Sequence, residues 1–152
     1  MVARKKNGVF LILLVEDNSA DAKLISLLFK KCKTPFSLDV VTDGQQAIQY
    51  LLKEGAFDTK PRPHLIILDL NLPKKNGREV LQEIKMHPEL RRIPVIVLTT
   101  STSDHDIKQV YDLYANAFIS KPSELSDLSA AIENIEAFWM KTAELSREDV
   151  KP

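Results

Sequence analysis

A doubly wound α/β sandwich, with a five-stranded parallel sheet covered by helices on both faces, is the fold class this sequence predicts. Three observations predict it. Five short apolar runs, at residues 9–15, 38–41, 65–70, 95–98 and 117–119, punctuate the chain and mostly lack alternation, as buried parallel strands do. Segments with helical spacing follow each run, so the order reads β-α five times and right-handed crossovers are expected. Polar residues gather directly after the runs, on the rim where open parallel sheets bind their ligands.

The elements follow in order. Residues 22–29, 47–52 and 80–84 carry apolar groups clustered for one helix face, and Asn18 or Ser19 can cap the first of these helices. Ile107, Val110, Tyr111 and Tyr114 fall at i, i+3, i+4 and i+7, an amphipathic stripe that Ser103 can cap. Leu125, Leu128, Ile132, Ile135 and Trp139 repeat the pattern in a last helix with Ser123 as its expected cap. Residues 54–63, with Gly55, Pro61 and Pro63, form a loop. Residues 1–8 and 144–152 are read as tails around one domain at 9–143.

Composition excludes several classes. The 152 residues are 44% apolar and 28% charged with a formal net charge of zero, so nothing pulls the chain toward nucleic acid or acidic membranes. Arg4-Lys5-Lys6 is a short basic run and reads as a solvated tail. Cys32 is the single cysteine, which excludes an internal disulfide and a cysteine-rich zinc site. No apolar run is long enough to cross a bilayer, and a cytoplasmic location is expected. His64, His87 and His105 are scattered and read as surface residues.

The strand ends carry the chemistry. The first ends in Glu16-Asp17, the third in Asp69, the fourth in Thr99 and the fifth in Lys121. Hard oxygen ligands of this kind suit Mg²⁺. A divalent ion and an ammonium offset the repulsion among carboxylates and an incoming phosphoryl group, and a carboxylate can act as nucleophile to give an aspartyl phosphate.

Four segments, LLVEDN at 13–18, LIILDLNLPKKNG at 65–77, PVIVLTTS at 94–101 and FISKP at 118–122, resemble the receiver domains of two-component response regulators. The resemblance covers residues 9–143. It implies the flavodoxin-like (CheY-like) sheet order 2-1-3-4-5, Asp69 as phosphoacceptor, and Mg²⁺ held by Glu16, Asp17, Asp69 and the carbonyl of Asn71. It further implies that Lys121 pairs with the phosphate, that Thr99 turns inward to bond it, and that the Lys121–Pro122 peptide is cis. Gly77 is expected to permit a tight approach where the loop enters the third helix. Phe118 stands where the family often has a switch tyrosine, and Thr100 where a smaller residue is frequent, so Thr100 is expected to crowd the phosphate.

DLNLPKKNGREVLQEIK, RRIPVIVLTTS and IEAFWMKTAEL resemble more narrowly the stand-alone response regulators of cyanobacterial phytochromes. That likeness implies phosphate from a light-regulated sensor histidine kinase and a homodimer through the fourth helix, fifth strand and fifth helix. Tyr111, Phe118, Phe138 and Trp139 are the expected interface residues. Phe138 and Trp139 are adjacent, so at least one is expected to point away from the core.

Other classes fare worse. A Mg²⁺-dependent aspartyl-phosphate phosphohydrolase of the dehalogenase type wants an acid/base aspartate two residues after the nucleophile, where this chain has Asn71. At most slow hydrolysis of its own aspartyl phosphate is expected. The first strand–helix turn lacks the glycines of a nucleotide loop, and neither a basic face nor a recognition helix suggests DNA binding.

Overall fold

A computed structural model describes residues 8–146. The parallel sheet contains β1 (Phe10–Val15), β2 (Phe36–Val41), β3 (Leu65–Leu68), β4 (Val95–Thr99) and β5 (Ala117–Ser120). Its order is β2-β1-β3-β4-β5, as expected. The helices are α1 (Ser19–Phe29), α2 (Gly44–Leu51), α3 (Gly77–Met86), α4 (Asp104–Asp112) and α5 (Leu125–Ile135). No helix among the described residues is long and apolar enough to cross a membrane. The expected tail at 1–8 lies outside the described residues except for Gly8, as does the other tail beyond residue 146.

Strand pleating explains why the apolar runs do not alternate. Leu13 and Val15 of β1, Ile66 and Leu68 of β3, and Val95 and Val97 of β4 pack with Ala47, Leu51, Val80, Leu81, Ile84 and Val110. The intervening Ile12, Leu14, Leu65, Ile67, Ile96 and Leu98 pack on the other face with Ala22, Ile25, Phe29, Leu128 and Ile132. Thus α2, α3 and α4 cover one face, and α1 and α5 the other. With both faces covered, every residue of β1, β3 and β4 except the half-buried Leu11 is buried, at about 1.5–3 kcal/mol per large side chain.

The edge strands differ. β2 starts at Phe36, earlier than the apolar run suggests, because Phe36 pairs with Phe10 while Ser37 and Asp39 fit an edge facing water. The run at 65–70 outlasts its strand: β3 ends at Leu68, and Leu70 stays buried in the loop that follows.

The end signals hold in part. The Asn18 side chain accepts from the Asp21 amide and Ser103 from the Asp106 amide. Ser123 does not cap α5. Glu124 takes the cap position and makes no side-chain cap bond, so the helix starts one residue later than a Ser123 cap requires. The Lys121–Pro122 peptide is trans, since no cis peptide occurs among the described residues; trans is the ordinarily favoured isomer. Tyr114 is not on the α4 stripe. The helix has ended, and Tyr114 sits at φ 70° with its ring exposed.

The last helix continues as a π-helical stretch over Glu136–Thr142. There Phe138 is exposed, and Trp139 is half-buried against the α1/α5 side of the core. The two rings meet edge to face at 5.0 Å. The buried Glu136 carboxylate anchors this stretch. It accepts the Lys33 amide at 3.1 Å, the Thr34 amide at 3.0 Å and the Thr34 hydroxyl at 2.9 Å.

His64 is not simply a surface residue. Its Nδ1 accepts the Leu11 amide at 2.8 Å while its own amide donates to the Leu11 carbonyl at 2.8 Å, and its ring packs on Phe10. The imidazole thus extends the β1–β3 pairing. His87 also has structural work, its Nδ1 accepting the Glu89 and Leu90 amides at 3.1 and 3.2 Å.

Candidate functional site

Four strand ends deliver the site. Glu16 follows β1 and is 1% exposed, Asp69 follows β3 and is 7% exposed, and Asp17 lies at the surface. One carboxylate oxygen from each of the three lies within 4.8 Å of the others. The Lys121 ammonium, delivered by β5, donates to Glu16 Oε1, to Asp21 Oδ2 at 3.1 Å and to Asp69 Oδ2 at 3.2 Å.

Backbone groups fix the carboxylates. The Asn18 amide donates to Glu16 Oε2 at 3.2 Å, and the Asn71 amide to Asp69 Oδ1 at 3.3 Å. Gly77 lets α3 begin against the Asp69 loop. A Cβ there would lie 2.3 Å from the Asp69 carbonyl oxygen and 2.5 Å from Leu70 Cα. The Gly77 amide donates to the Leu70 carbonyl at 2.9 Å, and Asn76 with Glu79 closes a capping box around the same turn.

Electrostatics record the crowding. Burial pushes the Glu16 carboxyl up to about 7, and the charge of Asp69 adds to this while the bond from Lys121 opposes it. Burial works against the Lys121 ammonium, but its bond to Glu16 and the charge of Asp69 outweigh that and raise its pKa. Two enclosed carboxylates therefore face one ammonium. Negative charge is in excess even before the exposed Asp17 is counted. Three hard oxygen donors with uncompensated charge fit a small divalent cation.

The remaining expected residues take distinct places. Thr99 is fully buried at the end of β4, and its Oγ1 has no hydrogen-bond partner among the described residues. Its carbonyl accepts the Lys121 amide at 2.7 Å, which ties β4 to β5 at the rim. A buried hydroxyl left unpaired costs about 1–3 kcal/mol, so an acceptor brought within its reach would be favoured. Thr100 is exposed.

Phe118 is half-buried on β5, packed against the α2/α3 side of the core. Its amide donates at 3.1 Å to the hydroxyl of Tyr111 on α4. Tyr111 and Phe118 are thus neighbours, while Phe138 and Trp139 pair with each other.

Two contributors were not expected from the sequence. Asp21 reaches Lys121 from the first turn of α1. Its signal was its spacing, four residues after Asp17 on a helix that starts at the rim. Arg78 follows Gly77 directly and reaches across to α4, where its Nε donates to Gln109 Oε1 and its Nη2 to Asp106 Oδ1, each at 2.6 Å. Neither Arg78 nor its α4 partners follow a strand end, so the rule that gathers the rim residues does not reach them.

A five-stranded parallel sheet in this order, with an acidic cluster and a lysine at its carboxyl edge, defines a receiver-type fold and site. The chain belongs to the response regulator receiver domain family, whose sequence pattern matches residues 12–133. Members of that family are generally signalling phosphoacceptors.

Particular relatives are similar over most of their length. The response regulator Rcp1 of Synechocystis sp. is 46% identical over 141 residues, covering 93% of this chain and 96% of that protein. The crystal structure of the phosphorylated cyanobacterial phytochrome response regulator RcpA superposes with a TM-score of 0.86 at 49% identity, covering 90% of this chain and 97% of that one. The Mn²⁺-bound form of Rcp1 gives a TM-score of 0.86 at 45% identity, covering 90% and 99%.

Proposed function

We propose that this protein is a phosphorylation switch in which Asp69 accepts a phosphoryl group from a sensor histidine kinase, of phytochrome type, in a Mg²⁺-dependent site. The observation that carries this reading is the Lys121 ammonium set between the buried Glu16 and Asp69 carboxylates. The phosphorylated form of the phytochrome response regulator RcpA and the Mn²⁺-bound form of Rcp1, both similar to this chain, support the same assignment.

The chemistry follows from the residues. A carboxylate oxygen of Asp69 attacks the donor phosphorus. The new P–O bond forms as the bond from phosphorus to the leaving group breaks, and the leaving group departs with that electron pair. The Lys121 ammonium, released in part from Glu16 and Asp69, pairs with the incoming oxygens, and the Thr99 hydroxyl turns to donate to one of them. Bound Mg²⁺, held by Glu16, Asp17, Asp69 and the Asn71 carbonyl, supplies charge neutralisation to the transferring group. Thr100, at the mouth of the same loop, limits access to the phosphate.

Asn71, where a phosphohydrolase has its acid/base aspartate, leaves the site without a group to drive repeated turnover. The protein is therefore a phosphoacceptor and not an enzyme, with at most slow hydrolysis of its own aspartyl phosphate. Its output is a changed protein–protein contact. Phe118, lacking the usual hydroxyl, and Tyr111, which supplies one from α4, lie on the α4-β5-α5 face through which we propose a homodimer, with Phe138 and Trp139 contributing. It acts in the cytoplasm, without nucleic acid or membrane.

Incubation with acetyl phosphate and Mg²⁺, followed by intact mass measurement, tests the reading. A gain of one phosphoryl group that vanishes in Asp69→Ala is expected. An undiminished gain in that variant, or none in the wild type, contradicts it.

A further inference from the structure

The guanidinium of Arg78 joins the first turn of α3 to α4, outside the residues expected to hold the metal or the phosphoryl group. Arg78 is the second residue of α3, directly after Gly77, whose backbone packs against that of Asp69. Its Nε and Nη2 reach Gln109 and Asp106 of α4 at 2.6 Å each. Asp106 does not end the chain of contacts. Its other oxygen, Oδ2, accepts the hydroxyl of Ser101, two residues beyond Thr99 in the β4–α4 loop. The Asp106 amide in turn donates to the Ser103 side chain at 3.0 Å.

One carboxylate thus gathers an α3 cation and a β4–α4 loop hydroxyl while belonging to the first turn of α4. The bond from Ser101 and those from Arg78 hold the Asp106 carboxyl below its ordinary value, so it stays ionised at neutral pH. The Arg78–Asp106 side chains are 27% and 21% exposed, sheltered enough for two-point geometry to matter.

We propose that Arg78 is a positioning residue for the phosphorylation switch: through Asp106 and Ser101 it latches the β4–α4 loop to the start of α3 and holds the loop in its unphosphorylated arrangement. This inference rests on the phosphoacceptor reading above. Thr99 has a buried hydroxyl with no partner among the described residues, and the loop it heads is tied down two residues later. Turning that hydroxyl toward a phosphoryl group on Asp69 draws the loop inward against the latch. Whatever free energy the latch contributes to the resting arrangement is subtracted from phosphorylation, and release of the latch favours the phosphorylated form. Arginine suits the role because only its planar fork serves Gln109 and Asp106 together.

The test is binding of beryllofluoride with saturating Mg²⁺, followed by ¹⁹F NMR, alongside amide spectra and melting temperatures of the unliganded proteins. For a partly exposed ion pair of this kind, Arg78→Ala is expected to tighten the apparent dissociation constant about fivefold. The amide signals of Thr99, Thr100 and Ser101 in the unliganded variant are expected to move toward their bound wild-type positions. Asp106→Asn should do the same, and the double variant should exceed neither single change appreciably. Arg78→Lys, which can keep the ion pair but not the second bond, should restore part of the wild-type value.

Unchanged or weaker binding in Arg78→Ala and Asp106→Asn, with melting temperatures preserved, overturns the latch. If Arg78→Ala does not fold, Asp106→Asn decides alone. Wild-type protein that binds no beryllofluoride, or binds it equally after Asp69→Ala, overturns the phosphoacceptor reading itself, and the latch with it.

Discussion

Replacing Gly77 with alanine should lower stability and slow phosphorylation together, for one geometric reason. The added methyl would sit 2.3 Å from the Asp69 carbonyl oxygen, 2.5 Å from Leu70 Cα and 3.1 Å from the Asp69 carbonyl carbon. These are backbone atoms, so no side chain can swing aside. The start of α3 and the Asp69 loop must separate by about 1 Å to reach ordinary contact, and the bond from the Gly77 amide to Leu70 stretches with them. Overpacking of this sort costs about 1–3 kcal/mol, which for a domain of this size lowers the melting temperature by about 2–12 °C. A displacement of about 1 Å at a reacting carboxylate can slow the reaction up to about 100-fold. The assay is the rate of phosphorylation by acetyl phosphate at saturating Mg²⁺, paired with thermal melts. Gly55→Ala is the control. Gly55 has φ +58° but nothing within 4 Å of an added Cβ, so alanine there strains the backbone by about 1–2 kcal/mol without touching the site. It should melt earlier and react at the wild-type rate. Gly77→Ala that reacts and melts like wild type would refute the reasoning.

Three further outcomes are expected. Mg²⁺ at about 100 times its dissociation constant should stabilise the wild type by about 2.7 kcal/mol, and Asp69→Asn should lose most of that gain in thermal melts because one of the three clustered carboxylates is gone. Burial pushes the Cys32 thiol up to about 11 from an ordinary 9.0, and the charge of Glu136 adds to this. At pH 8 the folded chain should therefore hold roughly 100-fold less thiolate than the unfolded one, with alkylation by iodoacetamide slowed to match. Since the folded-state value is the higher one, the folded chain binds the extra proton between about 9 and 11, and the stability this contributes falls as pH rises through that window; Glu136→Gln should speed alkylation. In sedimentation with beryllofluoride, Phe138→Ala and Trp139→Ala should weaken self-association, and association unchanged in both would count against their place in the interface.

Legibility in the sequence followed physical range. The β-α order and the parallel sheet were readable because apolar runs and helical spacing are local signals, the strand order came only with the family resemblance, and the rim chemistry was readable because parallel strand ends converge. Glu16, Asp17, Asp69 and Lys121 needed only that rule and the motifs. Asp21 was within reach, one helical turn beyond Asp17. Arg78 was not, since its pairing with Asp106 depends on how α3 and α4 pack on the same face. Caps were harder than elements: Asn18 and Ser103 cap as expected, but the chain passes Ser123 before α5 begins. Tyr114 fitted the α4 period and still left the helix, because periodicity says where a face continues and not where the chain turns. His64 looked solitary in sequence, yet it stands beside β1 and accepts a strand amide.

The most direct measurement of the central claim is the position of the modified residue. Protein treated with acetyl phosphate and Mg²⁺ is reduced with borohydride, which converts an acyl phosphate to the alcohol, and the peptides are sequenced by mass spectrometry. Homoserine is expected at position 69, with aspartate unchanged at positions 17 and 21. Homoserine at another position, or none at 69 in protein that has gained a phosphoryl group, would contradict it.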